Sequence, residues 1–555
     1  KRQLPSSIAA GDAMTLQVSM TGQATGAVTG TLTVTSNACE SMQQVQLTAT
    51  VIPAVTPECL LPSSFQPREE WSWTTSSNHP NKDQVWVTPL VINLTDDNND
   101  GVISDQDIPD IVFSTFDGRD FTTNPADPNL GAPIRAVVRA LSGDDGHELW
   151  TVMPDALMVQ SEAGLAAADI DGDGKPEIIA SKFVLLEGES IIPEGPKLMG
   201  RFVRGKLICF GNDGSFKWES DDWTGAKEEG EDGGAPAIAD LDQDGFAEVI
   251  YRNHVFDHEG HLKWAGTKKS GSAGHGGLPV PVDLDGDGRL EVSAGLTAYR
   301  SDGTVLWDRE DKGFDGLPAI ADFEGDGTPE VVVHNGKLII LNGEDGTDAY
   351  PDIELPFPMM GCTDQNMDDC STPIPTAVAL ADFDGDNLPE IAVSNRSFLL
   401  LYEADGTEKW RVPISDFTGA SGPSAFDFEG DGIAEVVYAD EQSAFALRGN
   451  NGMNIYTSPR SSRTIFEYPA IADTDRDGHA NMVVVMNEPL LRSAKGIKVL
   501  TNSAGNWVNA RPIWNQHAYH VSNVTSNGTV PRVETPHYRG NRSENGFRTQ
   551  TQRCQ

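Results

Sequence analysis

Cysteine, basic residues, aromatics and long apolar runs are all scarce in this 555-residue chain. Six cysteines are too few for a scaffold in which cross-links replace a core. With 40 Lys and Arg against 83 Asp and Glu, net charge −43, the chain lacks the basic footprint that nucleic acid or an anionic membrane surface requires. Neither is expected as a partner. No apolar run approaches the about 18–20 residues of a membrane-spanning helix, so no membrane insertion is expected. No leader peptide stands at Lys1, and an exported, processed chain is the expectation. No Ser-His-Asp, Cys-His or phosphate-loop pattern stands out.

What the chain does have is acid in a fixed spacing. In "AIADLDQDGFAEVIYRN", Asp240, Asp242, Asp244 and Glu248 occupy positions 1, 3, 5 and 9 of a loop with Gly245 at position 6. Alternating carboxylates on a tight turn can wrap one hard cation, since Ca²⁺ takes six to eight oxygens at about 2.3–2.6 Å. The spacing recurs. It gives Asp169, Asp171, Asp173 and Glu177; Asp283, Asp285, Asp287 and Glu291; Asp322, Glu324, Asp326 and Glu330. It continues with Asp382, Asp384, Asp386 and Glu390, where Asn387 replaces the glycine, and with Asp427, Glu429, Asp431 and Glu435. The last copy keeps Asp473, Asp475 and Asp477 but has Asn481 in place of Glu. The first keeps Asp96, Asn98 and Asp100, then lengthens; Asp107 is chosen as its last ligand, with Asp110 the competitor. About eight Ca²⁺ sites are expected.

Each loop lies between short apolar β-branched segments, followed by a hairpin turn and an aromatic. "CFGNDGSFKW", "FDHEGHLKW" and "YRSDGTVLW" are examples, and Trp150, Trp218, Trp264, Trp307, Tyr350, Trp410 and Tyr456 are read as wedges between neighbouring sheets. Four-stranded units of about forty residues without helical periodicity describe an all-β chain, an eight-bladed β-propeller, with seven blades plus a modified unit as the alternative. The loops fall between strands one and two of each blade. The eighth unit is the least regular, and the early "EWSWTTS" is a candidate strand to close the ring.

These loops resemble the FG-GAP or VCBS repeat, the blade also found in integrin α-subunit propellers, over roughly residues 70–520. The resemblance implies calcium held by positions 1, 3, 5 and 9 and by the backbone carbonyl of position 7. Here position 7 is Lys175, Phe246, Arg289, Thr328, Leu388, Ile433 and His479. Asn481 departs from the pattern and leaves the last loop weaker or dependent on water.

The flanks differ. Residues 1–55 carry the alternating stretches "MTLQVSM", "GTLTVTS" and "VQLTATVIP", resembling the end of an immunoglobulin-like module with too few strands for a closed β-sandwich. Residues 56–70 read as a Pro-rich linker, 71–520 as the propeller and 521–555 as a polar tail lying across it. An open sandwich edge suggests a homo-oligomer or filament through the N-terminal module. "WNQHAYH" offers His517 and His520, more simply read as packing residues than as metal ligands. Cys362 and Cys370 bracket a short loop suited to a disulfide, and Cys59 and Cys554 could staple the ring. Cys39 pairs with Cys59 instead or, like Cys209, stays unpaired.

The expected function is a secreted or cell-surface, calcium-stabilised adhesion or assembly module. Protein or glycan ligands would meet the rims, chiefly at the insertions 117–133, 186–204 and 352–375. One alternative is an enzyme resembling the rhamnogalacturonan lyases, hinted at by "SGSAGHGGLPVPVD" with His275, Lys268 and Lys269. A second is a quinone-dependent dehydrogenase, hinted at by the Asp-Gly-x-x-x-Trp turns.

Overall fold

The computed structural model describes residues 26–34, 43–51, 65–118, 135–183, 205–222, 233–271, 276–356, 375–416, 418–463, 466–488, 494–539 and 544–550. The chain separates into two units near residue 58. In the first, Gly26–Val34 and Gln43–Val51 pair as an antiparallel hairpin, coinciding with two of the alternating stretches. In the second, seven four-stranded sheets and one of six strands are the eight blades of a β-propeller. Among the described residues no helix is long and apolar enough to cross a membrane.

One blade shows why the sequence folds this way. Ala237–Ala239 pairs with Glu248–Tyr251, which pairs with His254–Phe256, which pairs with Leu262–Ala265, each antiparallel to the next. The innermost strands converge on the ring axis, where width is least, and small residues suit them: Ala166–Ala168, Ala237–Ala239, Ala379–Ala381 and Ala470–Ala472. The middle strands are wholly buried, as at Glu248–Tyr251, whereas an outer strand such as Phe216–Glu219 is half exposed.

The expected aromatic wedges have a specific partner. The Trp150 indole N–H donates to the Asn212 carbonyl of the next blade at 2.9 Å, Trp264 to Ser301 at 2.9 Å and Trp307 to Gly343 at 2.7 Å. Each ring rests on the turn glycine of that next blade. A Cβ at Gly214, Gly303 or Gly346 would come within 2.8 Å of the tryptophan, and all three glycines have positive φ. The Asp-Gly turn therefore supplies both the left-handed backbone and the floor for a neighbour's side chain.

The eighth blade closes the ring as the sequence suggested. Ala470–Ala472, Asn481–Asn487 and Lys495–Asn502 take their fourth strand from Pro67–Trp73, in register through Trp71 and Val499. Trp71 then does for the first blade what the other wedges do, donating to the Gly143 carbonyl at 2.8 Å.

After the last strand the chain passes the inner ends of the blades twice, first along blades eight to three and then along blades one to seven. On an inner pass Arg511 bonds the eighth blade at Asp473, Trp514 the first at Val91 and Asn515 the second at Ala167. Gln516 then accepts the Ile238 N–H of the third blade. On an outer pass the segment touches the acidic loops in blade order. Asn527 meets Asp105, Gly528 meets Asp169, Arg532 meets Gln243, Tyr538 meets Asp283 and Asn545 meets Asp322. Phe547 and Arg548 then pair with Leu380 and Ala425 of blades six and seven. This segment is a strap whose side-chain amides and backbone groups complete the inner strand edges.

Candidate functional site

The antiparallel register of strands one and two places the ends of each acidic loop face to face. Ala239 pairs with Glu248, so Asp240 leaves one strand where Glu248 begins the next, and the loop folds back between them. Its geometry is nearly the same in all eight blades. The first carboxylate accepts the N–H of position 6 at 2.7–3.1 Å. The fifth-position acid accepts the N–H of position 7 at 2.8–3.0 Å, so Lys175, Phe246, Arg289, Thr328, Leu388, Ile433 and His479 all have their amides fixed. In seven blades the ninth-position side chain accepts the N–H of position 2 at 2.6–3.1 Å, and in the first, lengthened loop Asp110 instead accepts the N–H of Leu94, two residues ahead of Asp96. Positive φ is met by glycine at position 6 in most loops and by Asn387 in the sixth blade.

In the first loop the two candidate acids take different places. Asp110 makes the bond to Leu94 N–H that Glu makes elsewhere, whereas Asp107 turns into the loop and accepts from Asn98 and Ser104. In the eighth loop Asn481 keeps the bond to Thr474, and its amide donates to Glu70 Oε2 at 3.1 Å. Glu70 belongs to the ring-closing strand. Burial, then the negative charge of Asp475, pushes its carboxyl up to about 7. The loop that lacks a glutamate in its own sequence thus has one beside it from the other end of the propeller.

A donor atom from each acid lies within 4.8 Å of the others in the groups Asp169/Asp171/Glu177, Asp240/Asp242/Glu248, Asp283/Asp285/Glu291 and Asp382/Asp384/Asp386/Glu390. The ninth-position carboxylates are buried, and those of blades four, five and six have no basic side chain paired with them among the described residues. Desolvation first, and nearby acids after it, push Glu291 and Glu330 up to about 8 and Glu390 to about 9. Glu390 Oε1 and Asp473 Oδ1 are buried without a hydrogen-bond partner. Such atoms fit a hard cation, which would use lone pairs the protein leaves unanswered. In blades two and three a lysine bridges the third and ninth acids: Lys217 to Asp171 and Glu177, Lys263 to Asp242 and Glu248. Arg448 does so for Glu429 and Glu435 in blade seven. Leu306 and Ala349, just ahead of the wedge aromatics of blades four and five, stand where Lys217 and Lys263 stand, and an uncharged side chain cannot make that bridge.

These shifts have a signed consequence. The unfolded chain loses these glutamate protons near pH 4.5, whereas the metal-free fold holds them to about 8 at Glu291 and Glu330. The fold therefore binds more protons across that window, and its stability falls as pH rises through it. Melting temperatures in excess chelator should decline from pH 5 towards pH 8. A rise over the same range would contradict the assignment.

Elsewhere, Lys268 is paired with Asp308 at 3.1 Å and lies 3.7 Å from Glu310. His275 falls outside the described residues, as do Cys39, Cys59, Cys362, Cys370 and Cys554 and most of the three insertions. Cys209 is a buried free thiol, pushed up by desolvation. His517 lines a cavity of about 20 Å³ between the inner edges of the blades, with Leu165, Ala235, Leu278, Tyr468 and Trp514. His520 instead meets Glu534 and His537, a group that the sequence spacing does not connect.

Comparison with known proteins agrees with this architecture. Residues 382–438 match the FG-GAP-like repeat. No curated protein matches the chain in sequence. Among solved structures, the biofilm matrix protein Bap1 of V. cholerae is 22% identical, covers 88% of this chain and 100% of its own, and superposes with a TM-score of 0.66. A rhamnogalacturonan lyase of Bacillus licheniformis is 14% identical, with 85% and 79% covered and a TM-score of 0.49. A quinohemoprotein alcohol dehydrogenase of Pseudomonas putida is 12% identical, with 80% and 76% covered and a TM-score of 0.45. The likeness to Bap1 speaks to the fold alone, and the other two add nothing to it. The chain is an eight-bladed β-propeller in which residues 382–438 match the FG-GAP-like repeat.

Proposed function

We propose that this propeller is an extracellular, calcium-stabilised adhesion or matrix-assembly module that binds a glycan or protein ligand at its rims. The observation that carries the reading is the closed axis. Trp514, Gln516 and Arg548 of the strap are fully buried against the inner strands, and the cavity described beside them, of about 20 Å³, has room for about one water. Ligands are therefore met by loops rather than in a central channel. The likeness to a biofilm matrix protein, extending over that protein's whole solved length, supports an extracellular setting.

In this reading each loop holds Ca²⁺ through its acids and the position 7 carbonyl, with Asp107 and Asp110 sharing the first site. Residues 1–55 are the end of an immunoglobulin-like module whose open edge pairs with a second copy. Calcium supplies charge neutralisation and rigidity; the chain supplies the pre-folded loop and the strap that holds its backbone.

The test is a screen of polysaccharides and glycans for binding, with turnover assays in parallel, with and without calcium. Calcium-dependent binding without turnover is the expected result. Release of unsaturated sugars would overturn it in favour of a lyase.

Glu70 gives a sharper prediction. Glu70→Gln should weaken calcium at the eighth loop by about tenfold while leaving the other loops alone, because ligand charge tunes such sites. Site-resolved occupancy from anomalous diffraction at limiting calcium measures this. Equal filling of the eighth loop in variant and parent would remove Glu70 from the site.

A further inference from the structure

His520 and His537 lie on the inner and outer passes of the strap, and Glu534 sits between them in sequence. All three are nearly or wholly buried: His520 is 0% exposed, His537 1% and Glu534 9%. Their donor atoms lie within 4.8 Å of one another, and the two imidazole rings are 4.4 Å apart. They form a cluster separate from the acidic loops and different in kind.

The hydrogen bonds assign the ring nitrogens. His520 Nδ1 is 2.9 Å from the Ala518 carbonyl, and His537 Nε2 is 3.3 Å from the Ile320 carbonyl. A carbonyl only accepts, so these two nitrogens carry the protons. The lone pairs are then on His520 Nε2 and His537 Nδ1. His520 Nε2 faces Glu534 Oε1 at 2.6 Å, and that oxygen already accepts the Ser522 hydroxyl at 2.8 Å. His537 Nδ1 is buried with no hydrogen-bond partner. At that separation the two share a proton in the metal-free chain, and a metal held by both at about 2.0–2.2 Å from each would set them about 3.3 Å apart. A proton there would satisfy His520 and Glu534 but leave His537 Nδ1 unanswered. One dication answers all three. Backbone carbonyls holding the far ring N–H groups are also the arrangement that orients metal-binding histidines.

We propose that His520, Glu534 and His537 bind one borderline divalent transition metal of the zinc class, tying the two passes of the strap together. Imidazole nitrogen prefers such ions, whereas the all-oxygen loops prefer calcium, so the two kinds of site sort their metals by donor chemistry. Burial of the cluster makes the ion a structural cross-link, closing the stretch between His520 and His537 that runs past the loops of blades one to three.

The experiment uses the full chain, stripped with chelator and then saturated with Ca²⁺ so that the acidic loops are filled. Zn²⁺ added next should be retained at one ion per chain through gel filtration. His537→Ala and Glu534→Gln should each weaken that retention by more than tenfold. Retention unchanged in both variants would place the zinc elsewhere and overturn the proposal, as would no retention by the parent. Because His537→Ala could loosen the strap, Co²⁺ loaded into the unaltered chain provides an independent readout. A nitrogen-ligated tetrahedral cobalt spectrum in excess Ca²⁺ is expected, and a spectrum of oxygen ligation alone would equally overturn it. Neither outcome depends on whether the rims bind glycan or protein.

Discussion

Stripping divalent cations with excess chelator is expected to lower the melting temperature steeply, and added Ca²⁺ to restore it. Four of the loops bring donor atoms of three or four acids within 4.8 Å of one another, and several ninth-position carboxylates are buried with little compensation from the chain. If ion binding is coupled to the folded state, each site contributes about 2.7 kcal/mol when free calcium is about 100 times its Kd. Eight such terms would rival the about 5–15 kcal/mol net stability of an ordinary domain. Calorimetry with and without chelator is the measurement. A melting temperature unmoved by chelation would remove calcium from the architecture altogether, since the unpaired Glu390 and Asp473 oxygens would then be tolerated without an ion.

Trp514→Ala should be the most damaging single change away from the acidic loops. The side chain is fully buried, stacks on Tyr519 at 4.8 Å and sits against Tyr468, while its backbone exchanges two hydrogen bonds with Val91. Truncating a buried tryptophan costs about 3–5 kcal/mol through lost transfer energy and the cavity left behind. The expected result is a lower urea midpoint with an unchanged calcium content, together with new protease cleavage in the strap. A midpoint shift worth less than about 1 kcal/mol would mean the strap lies on the ring without holding it.

The acidic loops are legible in the sequence because their chemistry is local. Carboxylates two residues apart on a turn must converge, and Asp240 and Glu248 face each other as soon as Ala239 pairs with Glu248. The wedges are legible for a similar reason, since an Asp-Gly turn followed by tryptophan is a hairpin with one large side chain at its end. What the tryptophan rests on is not: Gly214 lies in a different blade from Trp150, and nothing in either segment names the other.

The strap is the least legible segment. Its polar composition shows no period and predicts little burial, yet Gln516 and Arg548 are fully enclosed. They bury because amide and guanidinium groups meet the backbone of inner strands, as Gln516 does at Ile238 and Arg548 at Val378. Hydropathy counts apolar surface and does not register such bonds. The cluster of His520, Glu534 and His537 is equally invisible to it, since its members converge only because the strap passes the same blades twice.

By itself, then, the sequence determined the repeat, the strand order within a blade and the acid spacing of the loops, because each depends on residues within about forty positions of one another; it favoured eight blades over seven, and the pairing of Pro67–Trp73 with Lys495–Asn502 completes the eighth. Tertiary structure alone decided the double pass of the strap, what fills the ring's axis and which acid stands beside Asn481. Glu70 reaches that loop across a separation of 411 residues because Pro67–Trp73 pairs with Lys495–Asn502. Closure of a ring brings its two ends together whatever their sequences say about each other, and contacts made there carry no local period from which they could have been read.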